Sequence, residues 1–126
     1  MKKIINTKNA PAPIGPYNQA ILAGDTLYTS GQIAINPATG NLVVDTIENE
    51  TQQVMENLKA VLGEAGMTFE NVVKTSIFIS NMNDFSKINA VYGKYFESDS
   101  APSRETVEVA NLPKFVHVEI SMIALK

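Results

Sequence analysis

A chain of 126 residues, 44% hydrophobic and 18% charged, has the composition of an ordinary globular protein and the length of one domain, residues 1–126, with a real buried core. It has no cysteine and one histidine, which excludes a disulfide framework, a thiol nucleophile and a metal site built from Cys or clustered His. A net charge of −3 argues against a nucleic-acid-binding surface.

The opening Met1-Lys2-Lys3-Ile4-Ile5 has two lysines but no long apolar stretch behind them, so neither a signal peptide nor a membrane span is expected. A cytoplasmic enzyme or binding protein is the default. Lys3 to Asn6 reads as a short edge strand. Asn9 to Pro13 is extended and loop-like, because a residue before proline avoids the helical region. Ile14-Gly15-Pro16-Tyr17 is a turn that leads into a strand from Tyr17 to Leu22. Ala23-Gly24-Asp25 reads as a hairpin turn, and a further strand runs from Thr26 to Ile33. Gly31 inside that strand marks a bulge or a place where something approaches the backbone closely. Asn36 to Gly40 is another turn.

From Ile47 to Ala65 the period becomes helical. Ile47, Thr51, Val54, Leu58, Val61, Leu62 and Ala65 recur on one face. Glu48 and Glu50 fall in the first turn, where the helix dipole favours them, and Gly66 suits the position after the cap. Val72 to Ser80 returns to strand. A second helix spans Phe85 to Glu97 with Asp84 as its N-cap. Phe85, Ile88, Val91, Tyr92, Tyr95 and Phe96 fill one arc, and Asn89 lies at its edge.

Ser103 to Ala110 and Phe115 to Leu125 read as two strands around the turn Asn111 to Lys114. In the last strand Val116, Val118, Ile120, Met122 and Ala124 share a wholly apolar face, while His117, Glu119 and Ser121 take the other. In the strand before it Val107 and Val109 share a face and Arg104, Thr106 and Glu108 take the opposite one. Arg104 and Glu119 are both expected to point away from the core. Such a polar face suits plain solvation, or a cleft in which a guanidinium grips a carboxylate bidentately and a carboxylate manages a water. Periodicity leaves both open. The order of elements gives an α+β domain, a mixed sheet with helices on one face. The bare face of that sheet invites covering by self-association.

Four stretches together resemble the RidA/YjgF (UK114-like) family of reactive-intermediate deaminases. Ile14-Gly15-Pro16-Tyr17-Asn18-Gln19-Ala20 is similar to its IGPYSQA pattern. Leu27 to Ile33, through Ser30-Gly31-Gln32, is similar to its SGQ strand. Asp84-Phe85 through Asn89 and Tyr92 to Phe96 is similar to its DFxxxNxVYxxxF helix. Pro102-Ser103-Arg104, Val107-Glu108-Val109, Leu112-Pro113 and Val118-Glu119-Ile120 are similar to its closing signature.

The resemblance implies a chorismate-mutase-like fold with a six-stranded sheet and two helices. It implies a homotrimer with a small 2-imino or 2-oxo acid bound in each inter-subunit cleft. It implies hydrolysis of 2-iminobutanoate and 2-iminopropanoate, and of their enamine tautomers, to 2-oxo acids and ammonium, which protects pyridoxal-phosphate enzymes. No cofactor, metal, nucleic acid or membrane is implied. On that resemblance Arg104 holds the substrate carboxylate and Glu119 handles the attacking water. Tyr17, Ser30, Gly31, Asn89 and Thr106 complete the pocket. The sequence departs from the family pattern after the arginine, where Glu105 and Thr106 replace a small residue and a cysteine, and at Asn18, which replaces serine. A non-catalytic trimer that senses 2-oxo acids is the alternative, followed by a ribonuclease-like translation inhibitor or a chaperone.

Overall fold

The computed structural model describes residues 1–126. In chain order the elements are β1 (Lys2–Ile5), β2 (Ala20–Ala23), β3 (Thr26–Thr29), α1 (Ile47–Glu64), β4 (Val72–Ile79), α2 (Phe85–Tyr92), β5 (Ser103–Glu108) and β6 (Val118–Leu125). The six strands form one sheet in the order β1-β2-β3-β6-β4-β5. All neighbours are antiparallel except β4 and β5, whose parallel pairing is made by the crossover through α2. No helix is long and apolar enough to cross a membrane.

α1 forms where the period predicts. Thr46 caps it, its Oγ1 accepting the Asn49 N–H at 3.1 Å. The end is closed by Gly66 at φ +73, with Met67 N–H donating to Leu62 O at 2.9 Å, which satisfies a carbonyl that would otherwise be orphaned. Val54, Met55, Leu58, Val61 and Leu62 of α1 are buried against Leu27, Ile77, Ile79, Val118, Ile120 and Met122 of the sheet. Ile88 and Tyr92 of α2 join the same cluster, so both helices cover one face. The apolar alternation expected of β6 is met: Val118, Ile120, Met122 and Ala124 are all buried.

Several boundaries differ from the sequence expectation, each for a local reason. β6 begins at Val118 rather than Phe115, because Lys114 and Phe115 both take the left-handed conformation at φ +56 and break the extended run. β2 begins at Ala20, since Tyr17 is held in a turn by its N–H to Gly15 O at 2.9 Å. β3 ends at Thr29, and the chain rejoins the sheet only at the Gln32–Ile120 bridge. α2 stops at Tyr92 and tightens into a 3-10 turn over Gly93–Tyr95. Asp84 occupies the N-cap position of α2, but its side chain makes no capping bond.

The largest correction concerns Arg104. Registered residues on neighbouring strands point to the same side of a sheet. Arg104 registers with Thr75, and Thr75 with Met122, both buried under the helices; Thr106 registers with Ile77, and Ile77 with Ile120. Glu119 registers with Phe78, and Phe78 with Val107, on the bare face. Arg104 and Glu119 therefore lie on opposite faces, not together. The valines expected to build a core there do not: Val107 of β5 is 42% exposed, and Val109 lies past the strand's end, only partly buried. The edge position of β5 lets the Arg104 guanidinium rest against α2 without being swallowed by the core. His117, expected beside Glu119, turns its imidazole instead to the buried Glu50 of α1, Nδ1 to Oε1 at 2.8 Å.

Candidate functional site

The predicted site residues fall into two groups. The first surrounds a pocket of about 440 Å³ whose walls include Ile14, Tyr17, Ser30, Gly31, Ile33 and Glu119. Its outer wall is the proline-rich loop, fixed by one side chain. Gln19 is buried; its Nε2 donates to Pro11 O at 2.8 Å, Thr7 O at 3.0 Å and Ala10 O at 3.2 Å, and its Oε1 accepts the Thr7 N–H at 2.7 Å. Prolines leave a loop few donors of its own, so a side-chain amide supplies what the backbone lacks. Tyr17 is 44% exposed, its hydroxyl accepting the Ile14 N–H at 3.3 Å. Ser30 is committed to structure, its Oγ donating to Asn18 O at 2.6 Å.

Gly31 answers the expectation of a close approach. Its φ is not in the left-handed range, so the requirement is spatial. A Cβ at this position would collide with the Glu119 carboxylate, which lies directly over the Gly31 backbone. Glu119 itself is half-buried, and that desolvation pushes its carboxyl above the ordinary carboxylate range. No protein group hydrogen-bonds the carboxylate, so both oxygens are available to a water or a substrate. Replacing Gly31 with alanine should displace Glu119 and lower any activity that depends on it by about a hundredfold, the scale of an ångström's misplacement. Turnover measured alongside a thermal melt checks this, because a partly exposed pocket wall whose obstruction is a movable side chain should lose little stability.

The second group lies on the helix face at the β5 edge. Arg104 Nη1 donates to Asn89 Oδ1 at 2.7 Å. The guanidinium carbon stands 5.0 Å from the Tyr92 ring centroid and 5.7 Å from that of Phe85. Two aromatic faces and one amide thus hold a planar cation while leaving further N–H groups free to take a carboxylate bidentately. Tyr92 is fixed in turn by its hydroxyl to Thr75 Oγ1 at 3.1 Å, and burial pushes its phenol up. Thr106 Oγ1 is buried with no hydrogen-bond partner. Such orphaned hydroxyls are uncommon, and this one lies two residues from Arg104 on the same face. Glu105 faces the other way, paired with Lys74 Nζ at 2.5 Å and with Ser76; those bonds hold its carboxyl below the usual range.

Tyr17, Ser30, Gly31 and Glu119 are thus brought together, as are Arg104, Asn89 and Thr106, but the two groups do not meet within one chain. Sequence reasoning missed Gln19 as the loop's anchor and Phe85 and Tyr92 as the seat of Arg104. Phe85, Asn89 and Tyr92 recur at helical steps of four and three, so the stripe that holds the guanidinium was present in the spacing.

Residues 7–126 match the family described as Endoribonuclease L-PSP. A protein of Bos taurus named 2-iminobutanoate/2-iminopropanoate deaminase is 46% identical to this chain over all of it and 91% of the relative's length. Among solved structures, the Rid-family protein YyfA from Yersinia pestis superposes with a TM-score of 0.96 at 52% identity, with both chains covered completely. The E. coli protein TdcF, solved with bound serine, superposes with a TM-score of 0.92 at 41% identity over 98% of each chain. Motifs, fold and relatives agree: the chain belongs to the Endoribonuclease L-PSP family, the RidA/YjgF proteins its four motifs resemble.

Proposed function

We propose that the chain hydrolyses 2-imino acids, chiefly 2-iminobutanoate and 2-iminopropanoate, at sites completed between copies of itself in a cytoplasmic homotrimer. The observation that carries this reading is the split. A guanidinium with N–H groups to spare beside its Asn89 bond, and a carboxylate that no protein group hydrogen-bonds, lie on opposite faces of one sheet. On this reading a neighbouring subunit brings the Arg104 edge of one chain to the Glu119 pocket of another. The bare face offers a surface for that contact: Ile4, Ile21, Tyr28 and Ile123 register across four strands, with Ile4 and Tyr28 half exposed.

The chemistry follows from the two groups. Arg104 takes the substrate carboxylate and so fixes the adjacent C=N carbon. Glu119, with its raised proton affinity, takes a proton from water as its oxygen adds to that carbon. Glu119 returns that proton to the nitrogen of the resulting carbinolamine, and as the C–N bond breaks the hydroxyl proton passes to the departing ammonia, leaving ammonium and a 2-oxo acid. An iminium carbon is already electrophilic, so orientation and proton transfer suffice. The lone imidazole of the chain is engaged by Glu50, and no second histidine exists for acid-base cleavage of a phosphodiester, which disfavours the ribonuclease reading. TdcF was solved with serine, a small 2-amino acid, which favours as second reading a protein that binds small carboxylic acids substituted at the 2-position without turnover.

The decisive assay generates 2-iminobutanoate from threonine with a dehydratase and traps what remains with semicarbazide. Arg104→Ala and Glu119→Gln chains, each inactive alone, should regain activity when co-expressed, because some interfaces then join an intact Arg104 to an intact Glu119. Persistent inactivity of the mixture would count against a shared site. A wild type that binds 2-oxobutanoate without accelerating imine loss would establish the binding-protein reading.

A further inference from the structure

Glu50 is the only charged residue of the chain that is fully buried. It belongs to the first turn of α1, where an acidic residue is favoured, yet its carboxylate does not stay with the helix end. It reaches to the start of β6. Oε2 accepts the His117 N–H at 2.7 Å and the Val118 N–H at 3.1 Å, while Oε1 meets His117 Nδ1 at 2.8 Å. Removing a carboxylate from water is strongly unfavourable unless its lone pairs are satisfied, and here three bonds satisfy them. An apolar residue would fill the same space without that cost. The buried carboxylate therefore marks a geometry that packing alone does not give.

That geometry is the lead into Glu119. The two amides that Glu50 holds belong to the residues just before it. On their other side the chain arrives through Pro113, which walls the Glu119 pocket, and through Lys114 and Phe115, both at φ +56. Two consecutive non-glycine residues in the left-handed region persist only where their surroundings hold them. Phe115 is 78% exposed and supplies no such hold. The segment is also tied by the turn bonds Phe115 N–H to Leu112 O at 2.9 Å and Val116 N–H to Pro113 O at 3.3 Å, by Val116 buried against Ile33 and Ile35, by Val118 buried in the main core and registered with Ile79, and by the Ser80 N–H to His117 O at 3.0 Å. Glu50 is the hydrogen-bonding tie from the helix layer, and it holds both amides next to Glu119.

We infer that Glu50 is a positioning residue for Glu119: it fixes the backbone at His117 and Val118, and so holds the Glu119 carboxylate over Gly31. The catalytic meaning of that placement rests on the deaminase reading; the placement itself does not.

The test compares wild type with Glu50→Leu, Glu50→Asp, Glu50→Gln and His117→Ala. It measures kcat and KM for 2-iminobutanoate, together with amide hydrogen exchange over residues 113–120 and over α1. Glu50→Leu should lower kcat by about tenfold or more with KM unchanged, since Arg104 binds the carboxylate from another face. Exchange should quicken in residues 113–120 and not in α1. Glu50→Asp, which keeps the charge but draws it back by one methylene, should give the same pattern at smaller amplitude and replaces Glu50→Leu if that variant does not fold. Glu50→Gln keeps an acceptor for the amides, and His117→Ala keeps both amide bonds; each should stay within about threefold of wild type in kcat. Unchanged kcat and exchange in Glu50→Leu and Glu50→Asp would overturn the inference. So would proportional loss of kcat and affinity, or exchange that quickens throughout the molecule. If wild type itself turns over no imine, the deaminase reading fails, and the exchange data alone decide whether Glu50 places the segment.

Discussion

Arg104→Ala should lower imine hydrolysis at least about thirtyfold while leaving the fold intact. Truncating one partner of a hydrogen-bonded charge pair away from bulk water costs about 2–5 kcal/mol, or roughly thirtyfold to several-thousandfold in kcat/KM. The loss to stability should be far smaller. Arg104 stands at the sheet edge, and what it gives the folded chain is its contact with the Tyr92 and Phe85 rings, worth about 0.5–1 kcal/mol at an exposed site. Lysine should not rescue. Its ammonium is a point charge that can neither lie flat between two rings nor offer two parallel donors to a carboxylate. The semicarbazide assay gives the first quantity and a thermal melt the second. An Arg104→Ala protein within a few-fold of wild type would remove the carboxylate-binding assignment and leave the Asn89–Arg104 pair as structure alone.

Glu119→Gln should act in two directions at once. As the water-handling group, Glu119 is worth about 10²- to 10⁴-fold in kcat, the usual range for a general acid or base, with little change in KM. As a half-buried carboxylate it also strains the fold at neutral pH. Burial raises its folded pKa above the unfolded value. Below the unfolded pKa the group is neutral in both states and costs nothing. As pH rises through the window up to the folded pKa, the unfolded chain gives up its proton first, and stability falls. Glutamine carries no such charge. The variant should therefore melt higher than wild type at neutral pH, with the difference closing as pH drops below the ordinary glutamate range. Melts taken across that range, beside kcat, check both halves. A variant that melts lower at neutral pH would mean that the ionised carboxylate is stabilised by neighbours rather than desolvated.

The parts of the fold that one buried face dictates were legible in the sequence. The apolar steps of α1, its closing Gly66 and the alternation of β6 all follow from packing against one side of the sheet, which imposes a period on the residues. The sign of β5 was not legible. Alternation tells which residues share a face, not which face meets the core, and the valines of β5 suggested the wrong one. Register with β4 settles it, and that pairing is not written locally. The break before β6 was equally hidden, since Lys114 and Phe115 are not residues whose identity announces positive φ. Each site residue could be named from its motif, but the division into two groups could not, because it depends on which strands are neighbours.

The strand order has a consequence for how the protein is made. β6 is the last strand in the chain, yet it lies between β3 and β4. On the ribosome, β1–β3 and the β4–α2–β5 unit emerge first as separate pieces, each with an unpaired inner edge. Tyr28 waits for Ile123 and Ile77 for Ile120, and neither partner exists until β6 itself has been translated. Until then the nascent chain carries two open strand edges, the feature most prone to pairing with the wrong neighbour. Closure of the sheet is thus a late, non-local event, which makes folding slower than that of a helical bundle of the same length. The same strand that brings Glu119 to its pocket is the one that joins the two halves of the molecule.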